Sequence, residues 1–330
     1  MSTATYPHRS QQGVALLTAL LITALCAVIA SGIALSNRHW LVQATHGTHT
    51  DQAIEYALGA ESLARLGLFH DAQTNAYDGP TDHWAISLPP LPIEGGQVQG
   101  RVLPLDGRLN LNGLLIDNRI NALQLTRMQR LFRHADINPA ILDAILDWLD
   151  DDAEVRTPGG AEDVSYASAS PPYRAANQPF SHLSELRLIA GVDEPTFNAL
   201  SRVVSVLPHN ALLNINVAPD AVIASLADNL SPSAVAGALD RRREQPFDSL
   251  NAFAQLAIFD GLELNTTGLS VKSQWFVIHT AVILGDTRLA LLSYLRRDHN
   301  GRSSVLARER HYSGLSMMPL DDPLLGPHDG

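Results

Sequence analysis

The sequence predicts an α+β protein: a long amino-terminal helix packed on an antiparallel sheet, with an all-α domain inserted between the strands. Three observations predict it. An uncharged apolar run near the amino terminus passes into an amphipathic stripe, strand-like alternation appears at Gln97 to Asn112 and again from Gln274, and the stretch between has apolar residues at helical spacing. With 330 residues the chain can form about two domains with cores of their own, at the usual size of roughly 100–200 residues each.

Residues 13–36, GVALLTALLITALCAVIASGIALS, carry no charge and are closed by Arg9 and Arg38. As a helix rising ~1.5 Å per residue they would reach about 36 Å, enough for a hydrocarbon core of roughly 30 Å. A cleaved secretory signal, with a site near Ala34 or Ser36, would have a shorter core of roughly 7–15 residues. A plain signal anchor is another reading. Behind the run, Ala53, Ala57, Ala60 and Ala64, with Ile54, Leu58 and Leu68, form one apolar stripe that carries the helix to about Leu68. Side chains this small suit close packing, either on the chain's own sheet or on a partner's helix. Residues 78–96 are rich in Pro and Gly and predict loop.

Gln97 to Asn112 predicts short strands with Asp106-Gly107 as a hairpin turn. Residues 117–208 turn helical, with Ile120, Leu123, Leu125, Met128, Leu131 and Phe132, then Ile141, Ile145, Leu146 and Leu149. Gln274 to Leu284, Thr287 to Leu295 and Ser303 to Arg310 predict an antiparallel meander, turning at Gly285-Asp286 and Asn300-Gly301. The stretch Ser316 to Gly330, with three prolines among acids, predicts a flexible tail.

The 23 Lys+Arg against 34 Asp+Glu give a net charge of −11 and a pI near 5.5, which disfavours a sequence-independent nucleic-acid binder or a polybasic membrane binder. The lone Cys26 lies in the apolar run, so cysteine supplies neither an intrachain disulfide nor a zinc site. There is no G-x-S-x-G elbow, P-loop or H-E-x-x-H motif, and no enzyme is expected.

The densest charge is Asp143, Asp147, Asp150, Asp151, Asp152, Glu154, Glu162 and Asp163, with Arg156 as the only base. Such a run is either a solvated loop or a set of hard oxygen donors for a cation such as Ca²⁺, which takes 6–8 oxygens; it lacks the Gly and Glu of an EF-hand. Leu183 to Leu200 resembles a helix-hairpin-helix unit, but Asp193 stands where its second glycine would, so a negative charge would face phosphate. Arg241-Arg242-Arg243, flanked by Asp240 and Glu244, predicts a solvated helix end.

His8-Arg9-Ser10-Gln11-Gln12-Gly13, running into Val14-Ala15-Leu16, resembles a type IV prepilin leader, cut between Gly13 and Val14 so that the membrane helix is kept. Thr18 would then be the fifth mature residue, where most pilin-like proteins carry Glu. That absence, with DQAIEYALGAE at 51–61, DWLDDDAEVRTPGGAED at 147–163, PPYRAAN at 171–177, LSELR at 183–187 and LNINVAP at 213–219, resembles the K-class minor pseudopilins of type II secretion systems.

The resemblance implies a pilin-like fold with an inserted helical, SAM-like domain: a leader at 1–13, a transmembrane helix at 14–36, the first part of the pilin-like domain at 37–112, the insertion at 113–208, the second part at 209–312 and a tail at 313–330. It implies Ca²⁺ in the insertion, with Asp147, Asp150, Asp152, Glu162, Asp163 and Asn177 as the ligand pool, and Glu154 as a further candidate. It implies a single-pass inner-membrane subunit with a periplasmic head at the tip of the pseudopilus. Its partners would be the I-class and J-class minor pseudopilins, the major pseudopilin and the prepilin peptidase, with contacts at Thr18 and the alanine stripe and no nucleic acid. The alternative is a membrane-anchored helix-hairpin-helix receptor for DNA uptake.

Overall fold

The structure, a computed structural model, describes residues 12–86 and 88–311. The greater part of the leader, residues 1–11, and the expected tail lie outside the described residues. Helix α1 spans Gln12–Thr74, 63 residues in one piece. Its first part is exposed throughout Leu16–Asn37, the one stretch among the described residues long and apolar enough to cross a membrane. Its last part lies on the sheet: Ala53 and Ala57 are fully buried against Val98, Val282, Leu289 and Leu291, and Leu68 against Trp84, Val102, Phe276 and Ile278.

The sheet has five antiparallel strands in sequence order: β1 (Leu88–Ile93), β2 (Gly96–Pro104), β3 (Trp275–Leu284), β4 (Thr287–Arg297) and β5 (Ser303–His311). The expected three-strand meander is β3 to β5. At its first turn Gly285 takes φ +55°, a backbone angle that favours glycine. Strand β3 is buried on both faces, which fits its unbroken run WFVIHTAVIL.

Two expectations for the first half of the sheet need correction. Residues 78–96 contain the 3₁₀ turn His83–Ala85 and all of β1, whose sequence LPPLPI reads as loop because proline cannot donate to a ladder. It is tolerated here because β1 is an edge strand, and its register with β2 slips between Leu88 and Leu91. Nor is Asp106-Gly107 a hairpin turn: β2 ends at Pro104 and pairs with β1 and β3, while the chain past Asp106 leaves for the helical body.

That body holds α2 (Ala122–His134), α3 (Ala140–Leu149), α4 (Asp163–Tyr166), α5 (Glu194–Ser201), α6 (Asp220–Ala224), α7 (Pro232–Leu239) and α8 (Leu250–Ala254). It consists of two lobes, each closed by a two-residue parallel bridge, Leu109–Asn110 with Val204–Ser205 and Leu213–Asn214 with Leu269–Ser270. One core joins them, from Leu109 and Met128 through Ile145 and Phe197 to Val222, Phe253 and Leu269. The stretch 213–270, read from sequence as a return to the sheet domain, therefore packs with the helices. Arg242 is a further correction. It is not a solvated helix end: its Nη1 donates to Ile215 O at 2.7 Å and Ala218 O at 2.8 Å, filling carbonyls of the connecting segment.

Candidate metal centre

The acidic run folds back on itself around one cation, Arg156. Helix α3 ends at Leu149 with Asp150 as its cap, which brings Asp147 and Asp150 to its carboxyl end, where the helix dipole gives anions no help. Arg156 answers both: its Nε lies 3.2 Å from Asp147 Oδ1, its Nη2 bonds Asp150 Oδ2, and its backbone N–H donates to Asp147 Oδ2 at 3.1 Å. The turn fits only because residue 160 is glycine. A Cβ there would stand 2.2 Å from Asp147 Oδ2 and 2.5 Å from the backbone of Arg156.

Past that turn Glu162 comes down beside the pair. It is 3 % exposed, and neither of its carboxylate oxygens has a hydrogen-bond partner. Asp150, Asp152 and Glu162 each offer an oxygen, all three within 4.8 Å of one another. Asn177 is tied to the same loop: its Nδ2 donates to the backbone Asp152 O at 2.9 Å, and its buried Oδ1 is unpartnered. Beneath the loop lies an aromatic floor, Trp148 edge-on to Tyr166 at 5.4 Å, Tyr166 stacked on Tyr173 at 5.1 Å and Trp148 stacked on Phe180 at 6.5 Å.

Burial, then the charges of Asp147, Asp150, Asp163 and Asp152, push Glu162 up to about 7. Burial also raises Asp147 and Asp150, against the pull of Arg156. An ionised Glu162 is thus a buried charge without a partner, an arrangement that costs several kcal/mol unless a cation meets it. Three carboxylates and an amide oxygen form the hard donor set that suits Ca²⁺.

Of the residues singled out from sequence, Asp150, Asp152 and Glu162 converge, Asn177 is held beside them through the Asp152 carbonyl, and Asp147 stands behind them, committed to Arg156. Asp163 turns away: its Oδ1 accepts from Ala175 N–H at 3.0 Å and its Oδ2 lies 3.8 Å from Arg174. Glu154 is exposed. The turn at Pro158-Gly159-Gly160 is legible in the sequence, whereas the aromatic floor is not, although Trp148, Tyr166 and Tyr173 flank the acidic run. Thr18 lies in the exposed apolar span, and the backbones of Gly13 and Val14 lie in the first turn of α1. Ala53 and Ala57 are sheathed by the chain's own sheet rather than offered to a partner, whereas Ala60 and Ala64 are half-buried at its margin.

In the hairpin after the 3₁₀ turn Leu183–Leu188, the Asp193 carboxylate caps α5, accepting from Thr196 N–H at 2.9 Å. A phosphate would meet that charge instead of free N–H groups.

A membrane-length helix running unbroken into an antiparallel sheet, with a helical body inserted between β2 and β3, defines a pilin-like subunit carrying an extra domain. Profiles described as "Type II secretion system (T2SS), protein K" match residues 107–209 and 213–272, the two lobes of the helical body. The type II secretion system protein K of Pseudomonas aeruginosa is 32% identical over 319 residues, covering 93% of this chain and 95% of its own. That of Pectobacterium carotovorum is 30% identical, covering 92% and 97%. The structure is similar to a chain of the GspK-GspI-GspJ complex from enterotoxigenic Escherichia coli, with a TM-score of 0.69 and 23% identity over 82% of this chain and 100% of that one. The chain belongs to the type II secretion system protein K family. Nothing in these likenesses supports the DNA-uptake alternative.

Proposed function

We propose that this subunit is a minor pseudopilin at the tip of the type II secretion pseudopilus, anchored in the inner membrane by Leu16–Asn37 with its head in the periplasm. The observation that carries the reading is the single helix α1, which ties a membrane-length span rigidly to a head whose sheet supports a two-lobed helical body. Such a body obstructs a further subunit stacking above it. Thr18 leaves the span without the carboxylate that would need pairing with a neighbour ahead, since an unpaired charge in a membrane is costly. Both features suit a subunit that starts or caps an assembly.

I-class and J-class minor pseudopilins are its immediate partners in this reading, and the major pseudopilin follows below. The similar chain of known structure is named in a complex with GspI and GspJ, which supports the first two. Calcium belongs at Asp150, Asp152, Glu162 and Asn177, and it supplies there the positive charge that Glu162 lacks. The ion's task is structural: it closes the loop between α3 and α4, and no catalytic step is assigned to it.

Prepilin peptidase should cut between Gly13 and Val14. Intact mass and amino-terminal sequence of the chain, produced with and without the peptidase, test this. A start at N-methylated Val14 only with the peptidase is expected, whereas a start near residue 35, or no cleavage in either strain, would remove the pseudopilin reading.

A further inference from the structure

Both connections between the sheet and the helical body pass through one buried knot of charge. The outgoing connection carries Asp106, whose Oδ2 accepts from Gln274 N–H at 2.7 Å and Trp275 N–H at 3.3 Å on the returning one. The returning connection is held a second time by Asp78, whose Oδ2 accepts from Ser273 N–H at 2.8 Å and pairs with Arg297 of β4. Arg297 also reaches Ser273 O at 2.8 Å, Leu68 O at 3.4 Å and, from α1, Asp71 Oδ2 at 3.6 Å. Asp82 closes the ring. It accepts from Gly79 N–H and Trp84 Nε1 on one oxygen and shares the Asn75 amide with Asp71 on the other.

The charges do not balance. Asp71, Asp78, Asp82 and Asp106 are all at most 5 % exposed, and among the described residues the one buried base that pairs with any of them is Arg297, which reaches Asp71 and Asp78. Lys272 stays at the rim, its Nζ 3.4 Å from Asn75 O. Oxygens of Asp71, Asp78 and Asp82 lie within 4.8 Å of one another, and Asp71 Oδ2, Asp78 Oδ1 and Asp106 Oδ1 have no hydrogen-bond partner. Fully ionised, the knot would hold three uncompensated negative charges out of water, an arrangement that favours taking up protons.

We propose that this joint is a proton-operated latch: it locks the helical body onto the sheet in mildly acidic surroundings and loosens as the medium turns alkaline. The proton-accepting groups are Asp106 and Asp71. Burial pushes Asp106 up to about 7, its backbone hydrogen bonds pulling the other way and Asp78 adding to the rise. Burial, then Asp82 and Asp78, push Asp71 up to about 6, against Arg297. A folded-state value raised above that of the free acid means stability fully present below about pH 4 and lost as pH rises through 6 to 7. For Asp106 alone the closed-to-open ratio of the joint should be about 30-fold higher at pH 5.5 than at pH 8.

The test is hydrogen exchange of the full chain in detergent micelles, with saturating Ca²⁺ so that Glu162 is held ionised throughout. The amides of Ser273, Gln274 and Trp275, corrected for intrinsic exchange, are read at pH 5.5 and 8. With Asp71 adding roughly fourfold to the Asp106 factor, about 100-fold stronger protection at pH 5.5 in the wild type is expected, shrinking to a few-fold in the double variant Asp71→Asn, Asp106→Asn. Equal protection at both pH values, stronger protection at pH 8, or a pH response as large in the double variant as in the wild type would overturn the latch. The wild-type comparison decides alone if the variant does not fold.

Discussion

Replacing Glu162 by Gln separates a metal ligand from a structural side chain, because the two roles call for opposite changes in the metal-free protein. In the wild type at pH 8 and without metal, the carboxylate is charged although its folded-state value lies near 7 against an ordinary 4.5. At 1.36 kcal/mol per unit that is a penalty of roughly 3 kcal/mol at most. The amide removes the charge but brings buried hydrogen-bonding groups with no partner, which takes back about 1–2 kcal/mol. The metal-free variant should therefore be more stable than the metal-free wild type by about 1–2 kcal/mol.

Calcium reverses the order. At a concentration a hundred times the dissociation constant, an ion bound only by the folded state adds about 2.7 kcal/mol, or roughly 5–10 °C of melting temperature for a domain of this size. The wild type should show that rise and lose it on chelation, while Glu162→Gln should show little of it. Thermal unfolding by circular dichroism, with EDTA and with calcium, reads both numbers. A Gln variant that melts lower than wild type in EDTA yet keeps the full calcium-dependent rise would refute the ligand assignment.

Calcium affinity should fall about tenfold per pH unit below about pH 7, since Glu162 must be ionised to bind; calorimetric titrations at pH 5.5, 6.5 and 7.5 check the slope. Gly160→Ala should cost roughly 1–3 kcal/mol in urea unfolding and abolish the calcium-dependent rise, because its Cβ would meet Asp147 Oδ2 at 2.2 Å and backbone at 2.5 Å. Glu61→Ala should cost about 2–3 kcal/mol, discounted for the half-exposed guanidinium of its partner, as Glu61 takes Arg308 at 2.7 Å and Ser293 at 2.7 Å under α1. Burial raises the Glu61 carboxyl, but Arg308 and Ser293 outweigh it and hold it below its usual range, so its contribution is present above about pH 4.5 and lost as pH falls. Comparing urea midpoints of wild type and Glu61→Ala at pH 7 and pH 4 should show the gap close in acid.

The elements legible in the sequence are those where one periodicity decides. The span, the alanine stripe and the β3–β5 meander each carry a pattern set by a single environment: lipid, one sheet face, or alternation around tight turns. Strand β1 was hidden because edge position, a tertiary fact, is what excuses its prolines. The second helical lobe was hidden because its helices α6 and α8 are 5 residues each, too short to show a face, and its closure depends on Leu213–Asn214 meeting Leu269–Ser270. At the acidic loop, composition located the site but not its internal order. That Arg156 claims Asp147, that Ala175 N–H draws Asp163 away, and that Glu162 is left without a partner are consequences of the turn at Gly160.

The central claim, that this chain works as part of a minor pseudopilin tip, is tested most directly by purifying it with tagged I-class and J-class subunits from the same membranes in the presence of prepilin peptidase. A single species of one copy each, measured by light scattering after size exclusion, is the result expected. A chain that elutes free of both partners while correctly processed and calcium-loaded would contradict the account.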